Sequence, residues 1–145
     1  MRSLLLSNTP DAYSDLPVAL LDVLGRLGLS LIFLLSGLNK IQNYEANASY
    51  MASGGLPAEW LPAVILLELG GALFMLVGFQ TRLVALAFAG FSLLTAVLFH
   101  SNPDDSIQYL MFLKNVAIAG GFLILAAHGA GRFSVDAWRV RRPRA

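Results

Sequence analysis

Apolar residues dominate four long stretches of the chain: Leu16 to Leu38, Leu61 to Phe79, Leu83 to Phe99 and Leu110 to Ala127. Each runs for roughly 17 to 23 residues, enough for a helix to cross a hydrocarbon core of about 30 Å. A bilayer interior offers the backbone no hydrogen-bond partner except itself, so spanning runs of this length are helices. The pattern predicts an all-α, polytopic membrane protein built as a bundle of four transmembrane helices. The connections run from Asn39 to Trp60, Gln80 to Arg82 and His100 to Tyr109. The second is so short that the second and third spans must form a hairpin. Four crossings put both termini on one side.

Composition supports the membrane class. Of 145 residues, 57% are hydrophobic and 13% are charged, too few charges to cover a soluble domain of this length. Charge placement then sets the orientation. Arg132, Arg139, Arg141, Arg142 and Arg144 lie in the tail and Arg82 lies at the turn between spans two and three. Glu45, Glu59, Asp104 and Asp105 occupy the other two connections, with Lys40 at the edge. Positive residues stay inside, so both termini are expected in the cytoplasm. Ala46-Asn47-Ala48 looks like a signal-peptidase site, but the acidic segment before the first run and Arg26 within it argue for a retained helix. The expected layout is an N-terminal cytoplasmic segment at 1–19, a membrane domain at 20–136 and a basic cytoplasmic tail at 137–145. With no cysteine the chain itself has no thiol or disulfide chemistry, and a net charge of +1 gives no reason to expect a nucleic-acid partner.

The second and fourth spans share a pattern. Gly70-Gly71 precedes Arg82 as Gly120-Gly121 precedes Arg132, with the same interval of eleven residues after the second glycine. This hints at two hairpins related by an axis along the membrane normal. Ala85 with Ala89, and Ala117 with Gly121, make small-xxx-small steps, and Gly25, Gly28, Gly71 and Gly78 add further flat spots for close helix approach.

Glu68 is the one carboxylate deep in an apolar run, "VILLELGGALFML". Ionisable groups at membrane depth seldom face lipid. At about 1.5 Å of rise per residue Glu68 lies roughly 12 Å below the outer end of its helix, and Lys114 lies about 6 Å down the fourth. Lys40 and His100 sit at the outer rim, with Ser36, Asn39 and Asn115 nearby in depth. Glu68 and Lys114 are therefore expected to pair, either as a salt bridge that fixes register or as part of a polar pocket that binds a small molecule or exchanges a proton. Arg26 lies nearer the cytoplasm, one turn after Asp22. It either pairs locally or reaches up to Glu68. No metal site is expected, because His100 and His128 belong to opposite ends of their helices.

The segments "GRLGLSLIFLLSGLNKI" (25–41), "LLELGGALFMLVGFQTRLVAL" (66–86), His100, "FLKNVAIAGGFLILAAHGAG" (112–131) and "FSVD" (133–136) together resemble the DoxX family of small four-helix bacterial membrane proteins. The likeness runs from about Leu20 to Asp136, and its polar positions are Arg26, Lys40, Glu68, Arg82, His100, Lys114, Asn115 and Asp136. It implies a multi-pass protein of the bacterial inner membrane, quinone-associated or an accessory subunit of a membrane oxidoreductase system. The candidate pocket comprises Glu68, Lys114, Asn115, Lys40, His100 and Arg26. The chain carries no cofactor motif of its own and no self-contained catalytic motif. A redox role would require a bound quinone or a partner carrying the cofactor. In such a pocket Lys114 or Asn115 would donate to a quinone carbonyl and walls such as Phe33 and Phe112 would hold the ring. The alternatives are a small transporter or proton-coupled permease, and a purely structural subunit. Expected partners are the lipid bilayer and a homo-oligomer or larger membrane complex.

Overall fold

A computed structural model describes residues 16–141. Six α-helices follow in order: α1 (Leu16–Gln42), α2 (Tyr44–Ser53), α3 (Leu61–Val77), α4 (Thr81–Phe99), α5 (Ser106–His128) and α6 (Val135–Arg141), with a 3₁₀ turn at Ala58–Trp60 leading into α3. α1, α4, α5 and the 3₁₀–α3 unit are each long and apolar enough to cross a membrane. The four spans fall where the apolar runs place them.

The side chains are arranged for a lipid solvent. Along α1, Leu20, Leu24, Leu27, Leu31, Leu35 and Leu38 form an exposed stripe, while Ala19, Arg26, Ser30, Phe33 and Gly37 form the buried one. Both stripes follow the three-and-four spacing of one helix face. Leucine gains little by leaving lipid tails, so close packing and polar contacts decide what turns inward. α4 repeats the scheme, burying Thr81, Ala85, Phe88, Ala89, Ser92 and Ala96.

Two intimate pairs make up the bundle, α1 with α3 and α4 with α5. The short turn between α3 and α4 connects the pairs and does not itself create an intimate one. At their junction Phe33 of α1 stacks on Phe88 of α4, centroids 4.1 Å apart, and Phe122 of α5 packs on both. Gly71 lets α3 come against the Phe88 ring, and Gly121 lets α5 come against Leu29. Of the two Gly-Gly pairs, the second glycine of each therefore faces the other helix pair, while Gly70 and Gly120 meet no neighbouring helix. Gly25, Gly28 and Ala117 do not act as packing steps: the two glycines face open space and Ala117 is exposed.

Three local features differ from the sequence expectation. The connection after the first span is largely the helix α2. Arg82 lies in the first turn of α4, because Gly78 in a left-handed conformation (φ 68°) ends α3 and only Phe79 and Gln80 follow before Thr81. A further short helix, α6, follows the last span over Val135–Arg141. The acidic residues Asp11 and Asp15 and the tail arginines Arg142 and Arg144 lie outside the described residues, as do most of the 1–19 segment and the end of the 137–145 tail.

Candidate functional site

Glu68 projects from α3 toward α1, where Gly37 permits a close approach: a Cβ there would sit 2.7 Å from the Leu69 side chain and 3.4 Å from the Glu68 Cβ. Ser36 adjoins Gly37 in the chain, and Lys40 comes one turn further along α1. The Lys40 Nζ lies 3.0 Å from both carboxylate oxygens of Glu68 and donates to Oε1. It also donates to the Ser36 Oγ at 2.7 Å, and Ser36 donates to Glu68 Oε1 at 3.2 Å. The carboxylate is almost fully buried, while Lys40 keeps 18% of its side chain exposed at the end of the span. Its long stem spans the difference in depth between ammonium and Cα.

Beside this ion pair lies a cavity of about 250 Å³. It opens between the two helix pairs at the end of the bundle opposite the start of α1 and α6. Phe33, Phe91 and Ile118 supply apolar wall, and the polar rim holds Lys40, Glu68, His100, Lys114 and Asn115. Four spans thus contribute. The short helix α2 covers the mouth with Asn47, Tyr50 and Met51. Tyr50 stacks on Phe99 of α4 at 4.9 Å, and Gly54 at the end of α2 lies flush on the same ring. His100 closes α4 and lies 2.6 Å through Nδ1 from the Gln108 Oε1 of α5. Asp105 caps α5 by accepting from the Ile107 and Gln108 amides, which fixes the last wall.

The expected Glu68–Lys114 pair is not formed. Lys114 is on the other helix pair, exposed, with its Nζ 3.2 Å from the Met111 Sδ. Its place is at the cavity rim, and the charge opposite Glu68 is Lys40. Phe112 does not line the cavity. Of the lining residues that sequence reasoning passed over, two stand out. Ser92 of α4 is 1% exposed and lines it, and its hydroxyl has no hydrogen-bond partner among the described residues. Tyr50 is the other. A lone serine in an apolar helix carries no signal of its own; its i+4 and i−4 neighbours Ala96 and Phe88, both inward-facing, were the available clue.

Arg26 does not reach Glu68. It is 2% exposed at the far end of the bundle, where Nη1 donates to the carbonyls of Met75 (3.3 Å) and Leu76 (3.1 Å) and Nη2 to that of Phe133 (2.5 Å). These carbonyls end α3 and begin the approach to α6. A guanidinium there satisfies orphan acceptors and the negative end of the helix dipole. Asp22 and Asp136 supply nearby negative charge. Asp136 clamps the same end from the other side: its Oδ1 accepts from the Gln80 amide at 2.9 Å and its Oδ2 from the Thr81 amide at 2.8 Å, capping α4. Burial works against the Asp136 carboxylate, but the hydrogen bonds from Thr81 and Gln80 and the charge of Arg139 outweigh it and hold it below the usual carboxylate range.

The DoxX family model matches residues 21–101, more than half of the chain. The chain belongs to the DoxX family. It is 48% identical over 114 residues to the inner membrane protein YqjF of Escherichia coli (strain K12), covering 79% of this chain and 88% of that protein. It is 39% identical over 127 residues to the inner membrane protein YphA of the same organism, covering 83% and 89%. A more distant relative, at 29% over 101 residues and covering 65% and 73%, is "Putative oxidoreductase CatD" of Bacillus subtilis (strain 168). No solved structure matches. With four spans and two such relatives, this DoxX-family chain is a multi-pass protein of the inner membrane.

Proposed function

We propose that the cavity beside Glu68 is a binding site for a small aromatic ligand, best fitted by a quinone head group, and that the protein serves as a quinone-associated or accessory subunit of a membrane oxidoreductase system. The orphan hydroxyl of Ser92 carries this reading. A buried donor left unsatisfied costs roughly 1–3 kcal/mol, and a ligand carbonyl would remove that penalty. Size agrees: about 250 Å³ is below the usual range for drug-sized ligands and suits a single ring. Phe33 and Phe91 offer aromatic faces, and Lys114 or Asn115 can donate to a second carbonyl across the ring. Glu68, held by Lys40 and Ser36, is placed to take or give a proton. Electrons would come from a partner. The oxidoreductase name of the CatD relative points the same way.

The sidedness expected from the arginines places this cavity in the outer half of the membrane, with both termini in the cytoplasm. Against a permease, Phe33, Phe88 and Phe122 pack ring on ring in the core next to the cavity. Solvent extraction of the purified protein should release close to one quinone per chain, and Glu68→Gln should lose most of it while retaining its helical content. Wild type that carries no quinone, or equal amounts in both, would count against the reading. Solute flux through proteoliposomes at a rate sensitive to Glu68→Gln would favour the permease.

A further inference from the structure

We propose a second site at the opposite end of the bundle: the groove between the start of α4, the end of α5 and α6 binds the phosphate of an anionic phospholipid. The groove encloses about 910 Å³ and is bordered by Arg82, Arg139, Arg141 and His128. Its one acid is Asp136, which accepts from the Gln80 and Thr81 amides and whose charge offsets that of Arg139 alone. Among the described residues neither Arg82 nor Arg141 meets an acid. The groove therefore keeps a surplus of guanidinium charge that an anion would neutralise.

Two of the arginines lie against neighbours at the groove edge. Arg139 lies over the Phe79 ring, 5.4 Å from its centroid. Arg82 lies along Gly129, where a Cβ would come within 3.6 Å of its Nε. Both sit level with the ends of the spans, which is the depth of lipid head groups. A guanidinium fork matches phosphate oxygens in pairs.

The surroundings select lipid over a free anion. Phe133, Trp138 and Val140 on and beside α6 are 47%, 53% and 86% exposed. A soluble phosphate would leave that apolar surface bare, whereas an interfacial helix buries it among acyl chains while its arginines meet head groups. The site is independent of the Glu68 cavity.

The test uses the full-length protein in dodecyl maltoside and native mass spectrometry against dioleoyl phosphatidylglycerol, dioleoyl phosphatidylcholine and glycerol phosphate. Phosphatidylglycerol should remain bound where phosphatidylcholine does not, and its affinity should fall as salt is raised from 50 to 500 mM, roughly tenfold or more. Arg82→Gln with Arg139→Gln should weaken phosphatidylglycerol roughly thirty-fold. Should that double variant not fold, the lipid comparison and the salt dependence of the wild type decide alone. Equal retention of the two lipids, or salt-independent binding, would overturn the proposal. Glycerol phosphate binding as tightly as phosphatidylglycerol would overturn it in favour of a free-anion site.

Discussion

At the scale of single residues, the pair Lys40–Glu68 shows what depth arithmetic can and cannot supply. Counting residues places Glu68, Lys40 and Lys114 in the same outer half, but level is one coordinate. The other, direction around the helix axis, is fixed by which helices pair. Because α1 lies along α3, Lys40 is the cation that Glu68 meets. Lys40→Met should therefore destabilise the protein in detergent by roughly 3–5 kcal/mol, since it strands a buried carboxylate. Adding Glu68→Gln should restore much of that loss, and Lys114→Met should be nearly neutral; thermal melts of the three variants check all of this. Asp136 gives a pH-dependent counterpart. Its carboxyl is held below its unfolded value, so its stabilisation is present above an ordinary aspartate pKa of about 3.9 and is lost as pH falls through the lower folded value. Asp136→Ala should cost roughly 1–2 kcal/mol near neutral pH, and the gap to wild type should close in acid.

Among the elements, the four spans were legible because length and hydropathy alone define them. The helix α2 was not. "YEANASYMAS" has small and polar residues on every side, so no periodicity marks it. What holds it is side-chain contact: the Asn43 and Asn47 side chains both donate to Asn39 at the end of α1, Asn47 donates also to the Asn43 carbonyl, and Tyr50 stacks on Phe99. It covers the cavity, so loosening it should expose what lies beneath. The chain has no cysteine, which makes Ser92→Cys a clean reporter. A water-soluble maleimide should label it severalfold faster when Tyr50→Ala is added. The end of α3 offers a second check. Gly78→Ala would bring a Cβ within 2.5 Å of the Arg26 Nη1 and of the Ser134 Cβ at a left-handed φ of 68°. It should cost roughly 1 kcal/mol or more and disturb the Arg26 contacts to Met75, Leu76 and Phe133.

For the whole molecule, the bundle carries two polar regions, one at each end, and an aromatic cluster in its core. Glu68, Lys40, Ser92, Lys114 and His100 gather at one end, while Arg26 and Asp136 tie α3, α4 and α6 together at the other. Sequence reasoning found the first region by depth, but it counted Arg26 in that pocket, because the contacts Arg26 actually makes depend on a chain reversal that brings Phe133 back beside α3. Cysteine labelling from outside intact cells should reach Ser53→Cys and spare Ser134→Cys if the arginine-rich end faces the cytoplasm. The central claim, that the cavity is a ligand site, rests on the unsatisfied Ser92 hydroxyl, and one measurement meets it directly: equilibrium binding of a short-chain quinone to wild type and to Ser92→Ala. Removing a buried hydroxyl without a partner should leave the melting temperature unchanged or higher, while affinity falls roughly tenfold because the ligand loses a donor. Equal affinities in the two proteins would contradict the account.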